Sequence, residues 1–505
     1  MALRTLFPIR SHRRFPAEPA VRFSSPAFAI FFLLCVAVNW PGRLNEDSLE
    51  QFIGFQNPTL LGDMHSPLVT YLWSLAAPFV KQPASALIVQ AALLSFYAAM
   101  LPSPLPRRGA ALAAAAAEAA IKLSLVVLAG FVIKDVLLVG LLLAALACLQ
   151  RAGAPPRSAA WFAAAALLFL LSLVVRPTNF FMMAVAALVI VPLVVRTWRG
   201  RGLALAAALA LLASSLPVYA VFNAYVVKAR KEHAEIQLFL FDGAGISART
   251  GRDLVAELPG WPAGLPDPRR CYTPSEAAIV ASWSRCRGYA DAGLAVYARG
   301  RRHMIAWWLR NIARHPLAYA SHRLDYSRNL LDPVGAARGH PVYAAAGADR
   351  AGRYLYALNA PSQAPRLDAA TRGRLPPGQF LLWQDGLAAR SFARLTNLIL
   401  GFRGTPALAL LASALLLGWT WLLHLRGRPP PPLTVPVAAS LAAGNFLMHA
   451  LAGVASQERY LHPTAFCAAF ALLVALCHVR ASSSRGDDPP QKPQPAARSP
   501  AVQTP

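Results

Sequence analysis

The chain has 505 residues, 56% of them hydrophobic and only 14% charged, which lies outside soluble globular composition and predicts an integral membrane protein. A net charge of +26 would suggest nucleic acid in a soluble protein. Here the basic residues sit in alternate connections between apolar runs, which argues for membrane topology instead and excludes a nucleic-acid partner.

Residues 1–23 read as a basic cytoplasmic leader with Arg4, Arg10, Arg13, Arg14 and Arg22. The first apolar run, 24–40, reads as a signal anchor rather than a cleaved signal peptide. Further runs follow at 84–101, 110–132, 135–150, 159–175, 178–195, 203–222, 404–425, 433–453 and 461–479. Each approaches the roughly 20 residues that cross about 30 Å of hydrocarbon, so about ten transmembrane helices are expected. Arg107/Arg108, Arg151/Arg157, Arg196/Arg199/Arg201, Arg426/Arg428 and Arg480/Arg485 occupy every second connection. That positive-inside pattern predicts a multi-pass protein of the inner (plasma) membrane with both termini cytoplasmic. The loop 41–66, the 134–135 and 176–178 junctions, the segment 223–403 and the 454–460 turn then lie outside.

The 41–66 loop holds Glu46, Asp47, Glu50, Asp63 and His65, in a protein with 23 acidic residues. Acids at the mouth of a membrane bundle are costly unless they are hydrated, bind a cation or do chemistry. Glu46 and Asp47 can accept a proton from an attacking hydroxyl or amine, or Asp47-Ser48 can cap the next helix. Asp63 and His65 can form a second acidic site, a hydrogen-bonding pair or a divalent-cation site, or cap the helix that Ser66-Pro67 opens toward Phe79. That stretch is too short to span and reads as a juxtamembrane helix.

Lys134-Asp135 is either a structural pair or a means of holding a lipid phosphate. Arg176-Pro177 and Gln457-Glu458-Arg459-Tyr460 lie at the same level; separated cations at one depth suit an anionic headgroup, and snorkelling explains each singly. The segment 223–403 carries 25 Lys and Arg against 13 acids and is too long for a connection. It is expected to be a mainly helical extracytoplasmic domain, with helical pattern from Leu294 to Leu331 and a new helix at His315-Pro316. Its Cys271 and Cys286 are placed to pair in an oxidising compartment. Cys35, Cys148, Cys467 and Cys477 lie within apolar runs and read as small apolar residues. Residues 404–480 carry the last helices, and 481–505, rich in Ser, Pro, Ala and Gln, form a disordered cytoplasmic tail. Walker loops, a dinucleotide fingerprint, a Gly-x-Ser-x-Gly elbow and His-Glu-x-x-His are absent.

The chain resembles the GT-C glycosyltransferases, multi-span enzymes that take sugars from polyprenyl-phosphate carriers, among them the protein mannosyltransferases and lipid A aminoarabinose transferases. The resemblance lies in Asn45-Glu46-Asp47-Ser48, Asp63-Met64-His65-Ser66-Pro67-Leu68, Lys134-Asp135, Arg176-Pro177, His315-Pro316 with Tyr319, and Glu458-Arg459-Tyr460-Leu461-His462-Pro463. It implies an all-α, GT-C-like fold and a base at Asp47, with Glu46 beside it and Asp63 and His65 as second acid and helper. It also implies Lys134 and Arg459 at the carrier phosphate, with Arg176 and Tyr460 in the substrate site. The implied reaction moves a sugar from a polyprenyl-phosphate donor to a glycan, lipid or protein acceptor among the membrane lipids. It would need no cofactor, or a divalent cation such as Mg or Mn. An envelope glycan polymerase or ligase is the alternative, and a non-enzymatic flippase or transporter of lipid-linked substrate a further one. In this sequence the loop acids run Glu-Asp rather than Asp-Glu, so Glu46 and Asp47 both remain candidates for the base.

Overall fold

A computed structural model of the chain describes residues 23–40, 42–44, 51, 62–63, 66–76, 78–80, 84–101, 110–153, 158–195, 197–229, 231–274, 288–331, 405–453 and 458–486. All ten apolar runs are helical. They form α1 (Ser25–Asn39), α3 (Ala84–Met100), α4 (Ala110–Ala129), α5 (Lys134–Gly153), α6 (Ala159–Val175), α7 (Asn179–Val194), α8 (Trp198–Val221), α13 (Thr405–Leu425), α14 (Thr434–Ala452) and α15 (His462–Gly486). Five of them are long and apolar enough to cross a membrane: α5, α8 with its π-helical extension to Val226, α13, α14 and the His462–Val479 part of α15. Of the shorter apolar helices, α3 and α6 pack on α5 and α7 packs on α14, while α1 packs on α3 and α4.

Two of these helices show how one composition serves two environments. Helix α5 is apolar nearly all round and is buried over almost its whole length against α3, α6 and α15, as the centre of a bundle must be. Helix α8 is equally apolar, yet Leu203, Leu211 and Val218 are 58–60% exposed. An apolar face that wide is stable against hydrocarbon and not against water. The main core joins Trp73, Leu87, Leu94 and Tyr97 to Leu125, Leu137 and Phe470.

Helix α2 (Pro67–Ser74) is the short helix expected after Ser66. It turns Val69, Thr70 and Trp73 into the protein and packs on α3 and α6. Its N-cap residue is Ser66, whose hydroxyl donates to the Val174 carbonyl of α6 (2.7 Å) rather than to its own helix. A two-residue parallel ladder pairs β1 (Arg43–Leu44) with β2 (Phe131–Val132), so the first connection lies beside the α4–α5 junction.

The described part of 223–403 is helical: α9 (Glu235–Thr250), the single turn α10 (Pro268–Cys271), α11 (Tyr289–Arg314) and α12 (Pro316–Leu331). Proline suits a first turn, because the missing N–H there has no helical partner to lose. Accordingly α11 ends at Arg314, and His315-Pro316 begins α12 as the sequence predicts. The module has its own core of Phe239, Leu240, Val255, Val296, Met304 and Trp307.

Candidate functional site

Contacts gather the connections expected on one side of the membrane at one end of the bundle. Arg43 and Leu44 pair with 131–132. Asp135 at the start of α5 forms an ion pair with Arg176, just past α6. The Arg176 guanidinium lies over the Tyr460 ring at 4.8 Å. Asp63 accepts a hydrogen bond from the Glu232 N–H at 2.8 Å, tying the first connection to the entry of the helical module. Among the described residues this carboxylate anchors one segment to another.

Asp135 is fully buried and the Arg176 side chain is 14% exposed, so Asp135 has an ion-pair partner from the next helix junction as well as a cation, Lys134, beside it in sequence. Tyr460 lies between Arg176 and His449, stacking on the imidazole at 5.0 Å, and its carbonyl accepts from Asn445 Nδ2 at 2.8 Å. Around this pair Asp135 Oδ2, Asn179 Oδ1 and His449 Nε2 are buried without hydrogen-bond partners among the described residues. Buried polar atoms are otherwise almost always satisfied. Two of the three are pure acceptors, so the arrangement has room for donors beyond the described residues, such as water or the hydroxyls of a ligand. Arg176 is locally neutralised by Asp135, so it offers geometry and a partial charge rather than a free cation.

A second cluster went unread in the sequence. Asp242 of α9 is completely buried. Its Oδ2 accepts from Trp308 Nε1 (2.9 Å) and its Oδ1 from His322 Nε2 (3.0 Å), and Arg323 Nη2 makes an ionic contact at 2.5 Å. With the His322 proton on Nε2, Nδ1 accepts from the Tyr272 hydroxyl at 2.7 Å. Burial lowers the His322 pKa below its ordinary value, against the opposing pull of Asp242. Burial pushes the Tyr272 phenol up to about 12, so this tyrosine is a hydrogen-bond donor and not a nucleophile at neutral pH. The sequence signal was a lone acid inside an apolar helical stretch, Leu238-Phe239-Leu240-Phe241-Asp242, together with adjacent His322-Arg323.

Of the residues singled out from sequence, Glu46, Asp47, His65 and Cys286 lie outside the described residues, as do the side chains of Cys271 and Arg459. Lys134, Asp63, Arg176 and Tyr460 are described, and Arg176 and Tyr460 are in contact. Among the described residues no group of three or more His, Cys, Asp or Glu side chains could hold a metal ion. No protein-family model, no curated protein and no solved structure matches the chain. Fold and composition define the class: an all-α membrane protein with a helical module attached to its bundle.

Proposed function

We propose that the protein is a membrane glycosyltransferase of GT-C type, moving a sugar from a polyprenyl-phosphate donor to a glycan, lipid or protein acceptor outside the inner membrane. The observation that carries this reading is the convergence of Arg43–Leu44 and Asp63 from the first connection, Asp135–Arg176, Tyr460 and the helical module at one end of the apolar bundle. A lipid-linked sugar presents its anomeric carbon at such an end, while its chain stays in hydrocarbon. Asp135 Oδ2 and Asn179 Oδ1, acceptors without a hydrogen-bond partner among the described residues, suit a hydroxyl-rich ligand.

In the proposed reaction the acceptor hydroxyl or amine attacks the anomeric carbon as the bond from that carbon to the phosphate oxygen breaks. Polyprenyl phosphate leaves with the electron pair, and the acceptor proton passes to Asp47, with Glu46 as its neighbour. Positioning and charge stabilisation at the leaving phosphate supply most of the rate. Lys134 and Arg459 are the cations assigned to that phosphate. In this reading all ten apolar helices cross the bilayer and both termini are cytoplasmic.

Intact-mass analysis of envelope glycans and lipids, from cells with and without the protein, tests the reading. Loss of one sugar per acceptor supports it. Uniformly shortened chains point to a polymerase, and accumulated inward-facing carrier points to a flippase.

A further inference from the structure

The Asp242 cluster is remote in sequence from the candidate site, yet one face of α12 joins the two. Arg323, Tyr326 and Leu330 recur at helical spacing and are all buried. Arg323 Nη1 donates to the Gly453 carbonyl, just past the end of α14, at 2.7 Å. Tyr326 lies against Gly453 itself: a Cβ at that position would come 2.1 Å from the Tyr326 hydroxyl, so only glycine admits this approach. Tyr326 and Leu330 then form a small core with Phe241 and Leu461. Helix α12 therefore grips both ends of the 453–461 segment, between which lie Arg459 and Tyr460. From the bundle side, the last turns of α14 hold the same segment through His449 and Asn445.

Arg323 could not act alone. Its guanidinium is buried among the rings of Phe241, Tyr319 and Tyr326, each 5.7–5.8 Å away, where an arginine without a counter-ion would be costly. Asp242 supplies the counter-ion, and His322 and Trp308 fix the carboxylate.

We propose that Arg323, oriented by Asp242, is a positioning residue that clamps Gly453 and so sets the 458–461 turn that holds Tyr460 against Arg176. The function of what is positioned rests on the glycosyltransferase reading. The clamp itself does not, so it is tested first without substrate.

Hydrogen–deuterium exchange of the full-length protein in lipid nanodiscs provides that test. Arg323→Met keeps side-chain length and removes the donors. Amide exchange in 453–461 should rise about tenfold or more, while peptides of α9 and α11 exchange as in the wild type. Arg328→Met, on the exposed face of the same helix, should change neither. Unchanged exchange in 453–461 overturns the clamp. Equal acceleration across α9 and α11 also overturns it, by making Arg323 an ordinary core residue. If Arg323→Met does not accumulate, Arg323→Lys carries the test, because one ammonium cannot reproduce the forked contact to both Asp242 and Gly453. Its exchange in 453–461 should fall between wild type and a fully released turn, and a wild-type value overturns the proposal. With a transfer assay in hand, Arg323→Lys should raise the KM for donor several-fold and leave that for acceptor unchanged. Equal changes in both would contradict the positioning role, whereas no transfer by the wild-type protein would count against the glycosyltransferase reading alone.

Discussion

Replacing Asp135 by leucine removes one half of a buried ion pair. The partner left behind, Arg176, has a side chain 14% exposed, whereas Asp135 is at 0%. Breaking a buried pair from one side costs about 3–5 kcal/mol, because the surviving charge remains desolvated. Arg176 keeps its contact with the Tyr460 ring, worth roughly 0.5–2 kcal/mol, and its partial exposure admits some water. Asp135→Leu should therefore fall near the lower end, about 3 kcal/mol. Arg176→Leu should cost more, since it strands a fully buried carboxylate whose Oδ2 already lacks a partner among the described residues. The double replacement should lie within about 2 kcal/mol of wild type, because apolar residues often substitute for a buried pair without loss. Reversible unfolding of the purified protein in mixed micelles, run as a double-mutant cycle, measures all three values. Single variants costing less than about 1 kcal/mol would refute the buried pair. So would Asp135→Leu proving the more damaging of the two.

Asp63→Asn retains an oxygen to accept from the Glu232 N–H and should fold normally, whereas Asp63→Ala should cost about 1 kcal/mol; thermal unfolding compares them, and an inactive but stable Asp63→Asn would show that the charge is used in chemistry. The folded-state pKa of His322 is depressed, so the native protein binds fewer protons than the unfolded chain near that group. Its contribution to stability should be present above the unfolded value of about 6.5 and be lost as pH falls from there through the lower folded-state pKa. His322→Gln should remove this part of the pH dependence in an unfolding series from pH 8 to 5, and an unaltered profile would reject the assignment. Gly245→Ala would bring a Cβ within 2.3 Å of the His322 ring, so it should destabilise by about 1–3 kcal/mol in the same unfolding measurement.

The helices were legible because each has a long apolar run bounded by Arg, Pro or Gly, and ten such runs became ten helices. The common end of the bundle was legible too, since basic residues recur in every second connection. Pairing was not. Asp135 and Arg176 are 41 positions apart, and nothing local favours Arg176 over the adjacent Lys134 as the partner. Asp63 precedes Ser66-Pro67 and reads locally as a cap, and the sequence does not show that it also accepts a backbone N–H from residue 232. The Asp242 cluster escaped for a different reason. Loops dense in acids draw attention, while one acid within an apolar helix needs its distant partners, His322 and Arg323, before its cost makes sense.

The most direct measurement of the central claim uses the purified protein in proteoliposomes with a polyprenyl-phosphate-linked sugar and envelope extract as acceptor. The account predicts release of polyprenyl phosphate matched by sugar on the acceptor. Asp47→Asn should lower turnover about 10²-fold or more without loss of folded protein. Movement of the intact lipid-linked donor across the bilayer, with the sugar still on its carrier, would contradict the account.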